Sequence, residues 1–259
     1  MIKKELRKYI EQQLKENQDS AIIEPNQIKL YQEEKEYLEK HTSIVDELAQ
    51  NVTFIEVDSL SRFMNDVYIE RCNKETEEFI AEEPANFLDQ PIQYFLEHIE
   101  EFMYLESPWF AIIGVDAISF EVDSVFKTYD VMLGLKLQKK FASQIKTYLS
   151  STLKGEEVRF SAMFNANEGI WDLNFSLNDL ESFKSDWTIR EAYSAVYHFL
   201  FNLGENIENA SWAFLKKILE RLLWMSYSTL IDIKIVVEHK LEDVKIYIIL
   251  FSSIDWTSF

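Results

Sequence analysis

Between residues 156 and 177 the chain alternates apolar and polar residues on both sides of a turn. Val158, Phe160, Ala162 and Phe164 take every second position before Asn165-Ala166-Asn167-Glu168-Gly169, and Trp171, Leu173, Phe175 and Leu177 do so after it, against Asp172, Asn174 and Ser176. Successive side chains on a strand point to opposite faces, so this spacing predicts a hairpin in a sheet with one buried and one wet face. Such a sheet needs helices on its buried side, and the chain supplies amphipathic runs for them.

Ile2, Leu6, Tyr9, Ile10 and Leu14 share one helical face over residues 2–17, and Leu30 to Leu48 reads as a second helix. Val52 to Val57 reads as a strand, ended by Asp58-Ser59, either of which can cap the helix that follows. Pro91 suits a first helical turn, and Ile92, Phe95, Leu96, Ile99, Phe102 and Met103 predict a helical stripe behind it. Trp109 to Val122 is strand-like, and Leu137, Phe141, Ile145 and Leu149 predict a helix over 135–149. Thr188 and Glu191 have capping-box spacing, opening a helix that is expected to end near Gly204. Phe54 to Leu60 echoes Ser119 to Val125, which suggests a shared strand-to-helix solution built on an Asp-Ser cap.

The tail adds a helix from Trp212 to about Met225, then two β-branched runs, Leu230 to Val237 and Val244 to Phe251, joined by charged residues 238–243. The expected fold class is α+β: amphipathic helices packed on a mostly antiparallel sheet with a hairpin at about 156–177, plus a C-terminal helix and apolar hairpin. Residues 211–259 carry six acids and six bases, so the whole net charge of −19 lies in residues 1–210. That break predicts an acidic α+β domain over 1–210 and a neutral, apolar helix-hairpin extension over 211–259.

A chain with 45 acids against 26 bases repels a nucleic-acid backbone and an anionic membrane surface, and its natural complement is a basic protein; a well-solvated surface also accounts for the charge. The first residues hold no apolar signal core, and the uncharged stretch from Leu222 to Ile231 is about half the ~20 residues a spanning helix needs. With one cysteine, Cys72, no intrachain disulfide forms, and the expected compartment is the cytoplasm. Cys72 reads as a small buried or half-buried apolar residue.

The densest charge is the run from Glu75 through Glu77, Glu78, Glu82 and Glu83, followed by Glu97, Glu100, Glu101 and Glu106. Phe79, Phe87, Tyr94, Phe95, Phe102 and Tyr104 are interleaved with it. Carboxylates mixed with aromatics suit a partner surface, so the eight of these glutamates from Glu75 to Glu101 are the candidate partner-binding residues, although core packing also explains the aromatics. His98 and Glu101, with Tyr94 one turn back, offer only a weak acid–base or metal pair, and read rather as a solvated helix face. Ser194, His198 and Asn202 share one helix face without a carboxylate one turn from His198 to orient it. Only five glycines occur, no two within ten positions, so no phosphate-cradling loop or nucleophile elbow is present. From the residues, no catalytic, cofactor or metal site is expected.

The strings Glu70 to Phe79 (ERCNKETEEF), Leu88 to Phe95 (LDQPIQYF) and Tyr129 to Phe141 (YDVMLGLKLQKKF) resemble a group of uncharacterised cytosolic bacterial proteins often catalogued as branched-chain amino acid aminotransferases. The resemblance spans about residues 1–208. It implies a pyridoxal-phosphate enzyme, whose chemistry needs a Schiff-base lysine, a phosphate cradle and a group on the pyridine nitrogen. The residues themselves point instead to a non-enzymatic module, inhibitor- or immunity-like, that binds a basic protein.

Overall fold

The computed structural model describes residues 1–19, 27–41, 52–155, 158–229, 231–240 and 243–252, with side chains described to residue 213 except at 18 and 19, and at 217, 220 and 221. Backbone contacts divide the chain into two compact units, Met1–Glu205 and Asn206–Phe259. The fold is α+β.

In the first unit, α1 (Ile2–Asp19) precedes β1 (Gln27–Leu30), α2 (Gln32–Lys40) and β2 (Thr53–Glu56), and β1 pairs in parallel with β2. A 3₁₀ turn at Ser59–Phe63 leads to β3 (Tyr68–Asn73) and β4 (Phe79–Glu82). The single helical turn α3 (Tyr94–Glu97) is followed by β5 (Glu101–Glu106), β6 (Val115–Val122) and β7 (Tyr129–Leu135). Helix α4 (Ala142–Thr152), β8 (Phe160–Asn165), β9 (Ile170–Ser176) and the opening part of α5 (Ile189–Thr229) complete it. Seven strands form one antiparallel sheet in the order β4-β3-β5-β6-β7-β9-β8.

The sheet is buried on one face. Ile69, Met103, Leu105, Ile118, Phe120, Val131, Leu133, Trp171, Leu173 and Phe175 alternate inward and are all buried. Tyr193 of α5 stacks on Phe120 at 4.0 Å between ring centroids and donates its hydroxyl to the Ile118 carbonyl at 3.3 Å. Phe199 packs on Phe175, and Ile2, Leu6 and Ile10 bury the apolar stripe of α1. Each large side chain removed from water in this way contributes roughly 1.5–3 kcal/mol.

Three hairpins use the same turn chemistry. In Asn73–Glu77, Asp123–Lys127 and Asn165–Gly169 the first side chain's Oδ1 accepts from the amides two and three residues on, and the fifth amide returns to the first carbonyl at 2.8–2.9 Å. The fifth residue has positive φ, +56° at Glu77, +57° at Lys127 and +74° at Gly169. An Asx residue mimics a backbone turn by this bonding, which makes it the signal, and glycine at the fifth position is an aid rather than a requirement.

Several expected elements are corrected. Leu30 belongs to β1 and α2 starts at Gln32, while the expected helical residues 42–48 lie outside the described residues. Residues 92–103 form one helical turn, not a helix, and Phe102 and Met103 belong to β5; the run Glu101-Phe102-Met103-Tyr104-Leu105-Glu106 also alternates, and strands on both sides supply its backbone bonds. Pro91 pairs with Thr188 across an isolated bridge instead of opening a helix. Pro108–Ala111 is a 3₁₀ turn and the strand starts at Val115, while Leu135 closes β7 and the next helix starts at Ala142. The Asp58 and Asp123 caps share amide acceptance, but one leads into a 3₁₀ turn and the other into a hairpin turn.

The capping box forms as expected: Glu191 accepts from the Thr188 amide at 2.7 Å, and the Thr188 hydroxyl from the Glu191 amide at 3.2 Å. The helix it opens does not end at Gly204 but continues to Thr229. A Cβ at Gly204 would lie 2.7 Å from Ile2 Cδ1, so this glycine serves the close approach of α1 and not a helix stop.

A buried cation joins the elements around the parallel pair. Arg62, on the 3₁₀ turn, is 2% exposed and lies over the rings of Tyr31 and Tyr197 at 4.1 and 3.7 Å. Its guanidinium donates to Glu34 Oε1 and to Glu33 Oε2, both at 2.7 Å, and Tyr197 donates to Glu34 Oε1 at 2.5 Å. Burial pushes the Tyr197 phenol well above its ordinary value, so it stays a donor.

In the second unit, β10 (Ile231–Lys240) and β11 (Asp243–Ser252) pair antiparallel from Ile231 opposite Ser252 to Lys240 opposite Asp243. Most of the stretch expected to join them, 238–243, is therefore strand. Among the described residues, no helix is long and apolar enough to cross a membrane.

Removing one partner of a buried ion pair strands the other charge. Glu34→Ala is expected to lower unfolding free energy by about 3–5 kcal/mol, read from urea denaturation. A loss below 1 kcal/mol would show that Glu33 alone satisfies Arg62.

Candidate functional site

The opposite face of the sheet carries the site. Because the strands alternate, the residues between the core positions project there: Tyr68, Glu70 and Cys72 from β3, Phe102, Tyr104 and Glu106 from β5, Ser119 and Glu121 from β6, and Met132 from β7. Together with Lys74 and Glu77 they line a hollow of about 690 Å³. A second hollow of about 320 Å³ shares Tyr104, Ser119 and Met132 and extends towards Gly134 and Ile170. Large rings beside carboxylates are unusual company for a merely solvated face, which has no need of aromatic area.

Hydrogen bonds order the polar groups. Tyr68 donates to Glu70 Oε2 at 2.5 Å, Tyr104 donates to Glu106 Oε1 at 2.8 Å, and the Cys72 thiol donates to Glu70 Oε1 at 3.1 Å. The bond to Glu70 pushes the Tyr68 phenol up to about 12, and burial with the bond to Glu106 does the same for Tyr104. The Tyr68 phenol and the Cys72 thiol hold Glu70 below the usual carboxylate range, so it stays charged. Burial and the neighbouring Glu70 push the Cys72 thiol up to about 11, which makes it a poor nucleophile at neutral pH. Cys72 is 5% exposed, in keeping with the expected buried residue. Lys74 donates to the Val122 carbonyl at 2.7 Å and pairs with Glu121 at 3.0 Å.

The eight expected glutamates are not gathered in one place. Glu77 lines the hollow, and Glu82 stands opposite Glu70 in the strand register. Glu75 and Glu78 are exposed on the β3–β4 turn, and Glu97 and Glu100 are exposed on either side of His98. Glu83 and Glu101 are tied to Arg71, which donates to them at 2.7–2.8 Å, and Glu101 is 8% exposed. Tyr94 joins this knot by donating to Glu101 at 3.0 Å and accepting from Arg71 at 2.7 Å. The expected solvated face of Tyr94, His98 and Glu101 is thus an ordered cluster. His98 stacks on Tyr94 and donates Nδ1–H to its carbonyl at 2.9 Å, closing α3. His41 does the same with Tyr37 at the end of α2. A carbonyl only accepts, so Nδ1 carries the proton in both.

The sequence reading missed Tyr68, Glu70 and Glu121 of the hollow. The signal for Tyr68 and Glu70 was present as Tyr-x-Glu, at 68–70 and again at 104–106, which puts a phenol and a carboxylate on one strand face. His198, by contrast, receives an orienting carboxylate from α2: its Nδ1 lies 3.3 Å from Glu33 Oε1 and its Nε2 2.9 Å from Asn202. Both ring nitrogens are occupied by those groups, and the buried Ser194 hydroxyl bonds to neither, so the three do not form a nucleophile and base.

No protein-family model, no curated protein and no solved structure was found to match this chain. Pyridoxal phosphate does not fit the hollow. Its phosphate would face Glu70, Glu77, Glu106 and Glu121, and the lining lysine, Lys74, is held by Glu121 and a carbonyl. Protein purified with added pyridoxal phosphate is expected to show no visible absorption band that borohydride reduces; a reducible band on one lysine would reverse this.

Asp130 lies on the same face, opposite Glu121 of β6 and Ser176 of β9. Burial, with Asp123 and Glu121 nearby, pushes its carboxyl up from 3.8 to about 6. Between about pH 4 and 6 the folded chain holds a proton that the unfolded chain has released, so stability falls as pH rises through that window. Asp130→Asn is expected to stabilise the protein by about 1 kcal/mol at neutral pH, after allowance for solvent screening. Thermal melts should show that gain vanish as pH drops towards 4, and an equal gain at both ends would exclude an electrostatic cause.

Proposed function

We propose that this chain is a non-enzymatic acidic module, inhibitor- or immunity-like and cytoplasmic, that binds a basic protein through the open face of its seven-stranded sheet. The observation that carries the reading is the hollow itself, where Glu70, Glu77, Glu106 and Glu121 surround Tyr68, Phe102 and Tyr104. Tyrosine brings large, stiff contact area with a polar tip, and the carboxylates bring steering for a cation. The net charge of −19 reinforces that steering and disfavours anionic partners. The exposed turn glutamates, Glu75 and Glu78, extend the same field, and Phe79 beside them is 60% exposed.

The test is capture of proteins from a cell lysate on the immobilised chain, beside the variant Glu70→Lys/Glu106→Lys/Glu121→Lys, at low salt and at about 0.5 M salt. The native chain is expected to retain a protein of high isoelectric point that the variant releases and that salt weakens. Retention unchanged in the variant would move the interface elsewhere.

A further inference from the structure

The two Tyr-x-Glu pairs are adjacent and antiparallel. In the β3–β5 register Tyr68 stands opposite Glu106 and Glu70 opposite Tyr104, so the four side chains form a checkerboard with phenols on one diagonal and carboxylates on the other. Each carboxylate is held by the phenol two residues before it on its own strand. Tyr68 is 38% exposed and Glu106 is exposed, so the pattern opens to solvent.

Resting on the reading above, we propose that this checkerboard seats one arginine side chain of the basic partner. Diagonal positions on paired strands are about 7–8 Å apart, a span that a planar guanidinium, with five donors in a fixed fork, bridges by bonding to a carboxylate at each end. Its face then lies against the tyrosine rings, a geometry that suits arginine better than the compact, strongly hydrated ammonium of lysine. This chain already packs a guanidinium in that manner internally, where Arg62 lies over Tyr31 and Tyr197 while bonding to Glu33 and Glu34. The charge is complementary too: of the four corner residues none is basic, and the lining lysine, Lys74, is paired with Glu121.

Fluorescence anisotropy with labelled oligo-arginine and oligo-lysine peptides of equal length tests this on the full chain. The native protein is expected to prefer arginine by about tenfold, a difference of about 1.4 kcal/mol. Glu70→Gln/Glu106→Gln should abolish the preference, whereas Glu75→Gln/Glu78→Gln should weaken both peptides alike and leave it intact. Tyr68→Ala, at an exposed position, should reduce the preference several-fold and guards against misfolding of the double variant. Equal, salt-sensitive binding of both peptides would overturn the arginine seat while leaving the acidic-module reading in place. Failure of both peptides to bind would remove both.

Discussion

Arg62 is the constraint on which the helical side of the first unit depends. A guanidinium with 2% of its surface exposed is tolerable only where carboxylates and rings replace the water it has lost, and here they come from two separate stretches of chain. Glu33 and Glu34 from α2, Tyr31 just before that helix and Tyr197 from α5 meet at one charge. Trp109 stands at its edge and also touches Tyr9 and Tyr31, so α1, the β1–α2 segment and the loop before β6 are fixed relative to the same point. The aromatic enclosure explains why so acidic a chain keeps this arginine inside instead of using it to offset surface charge.

With α4 and α5 packed on one face of the sheet, the other inherits everything the core cannot take. The turn chemistry fixes where each strand starts, the alternation fixes which residues go outward, and antiparallel register sets their neighbours. The Tyr-x-Glu checkerboard is a product of that register, since a slip of one residue would turn both phenols and both carboxylates into the core. The same logic separates the acidic run into two populations. Glu83 and Glu101 face the covered side and neutralise Arg71, while Glu77 and Glu82 face or border the open side.

The errors of the sequence reading share a cause. Residues 92–103 fit a helical stripe and also contain the alternation of a strand, and local pattern does not choose between them; hydrogen bonds from β3 on one side and β6 on the other do. Gly204 looked like a helix stop because glycine commonly ends helices, yet its missing side chain was needed by Ile2, some two hundred positions away. His198 showed no carboxylate one turn away because its partner, Glu33, arrives from another helix.

What the sequence determined by itself is local: the 156–177 hairpin, the Thr188–Glu191 capping box, the amphipathic first helix, the α+β class and the sign of the surface charge. The hairpin, the capping box and the first helix rest on spacings of two to four residues, which backbone geometry converts directly into a shared face or a satisfied amide. The tertiary structure alone decided which glutamates are spent on Arg62 and Arg71 and which stay on the open face. It also decided that two Tyr-x-Glu pairs, some 36 positions apart, lie side by side. Those are long-range pairings, set by sheet order and by the burial cost of an unpaired charge, and no short window of sequence contains them.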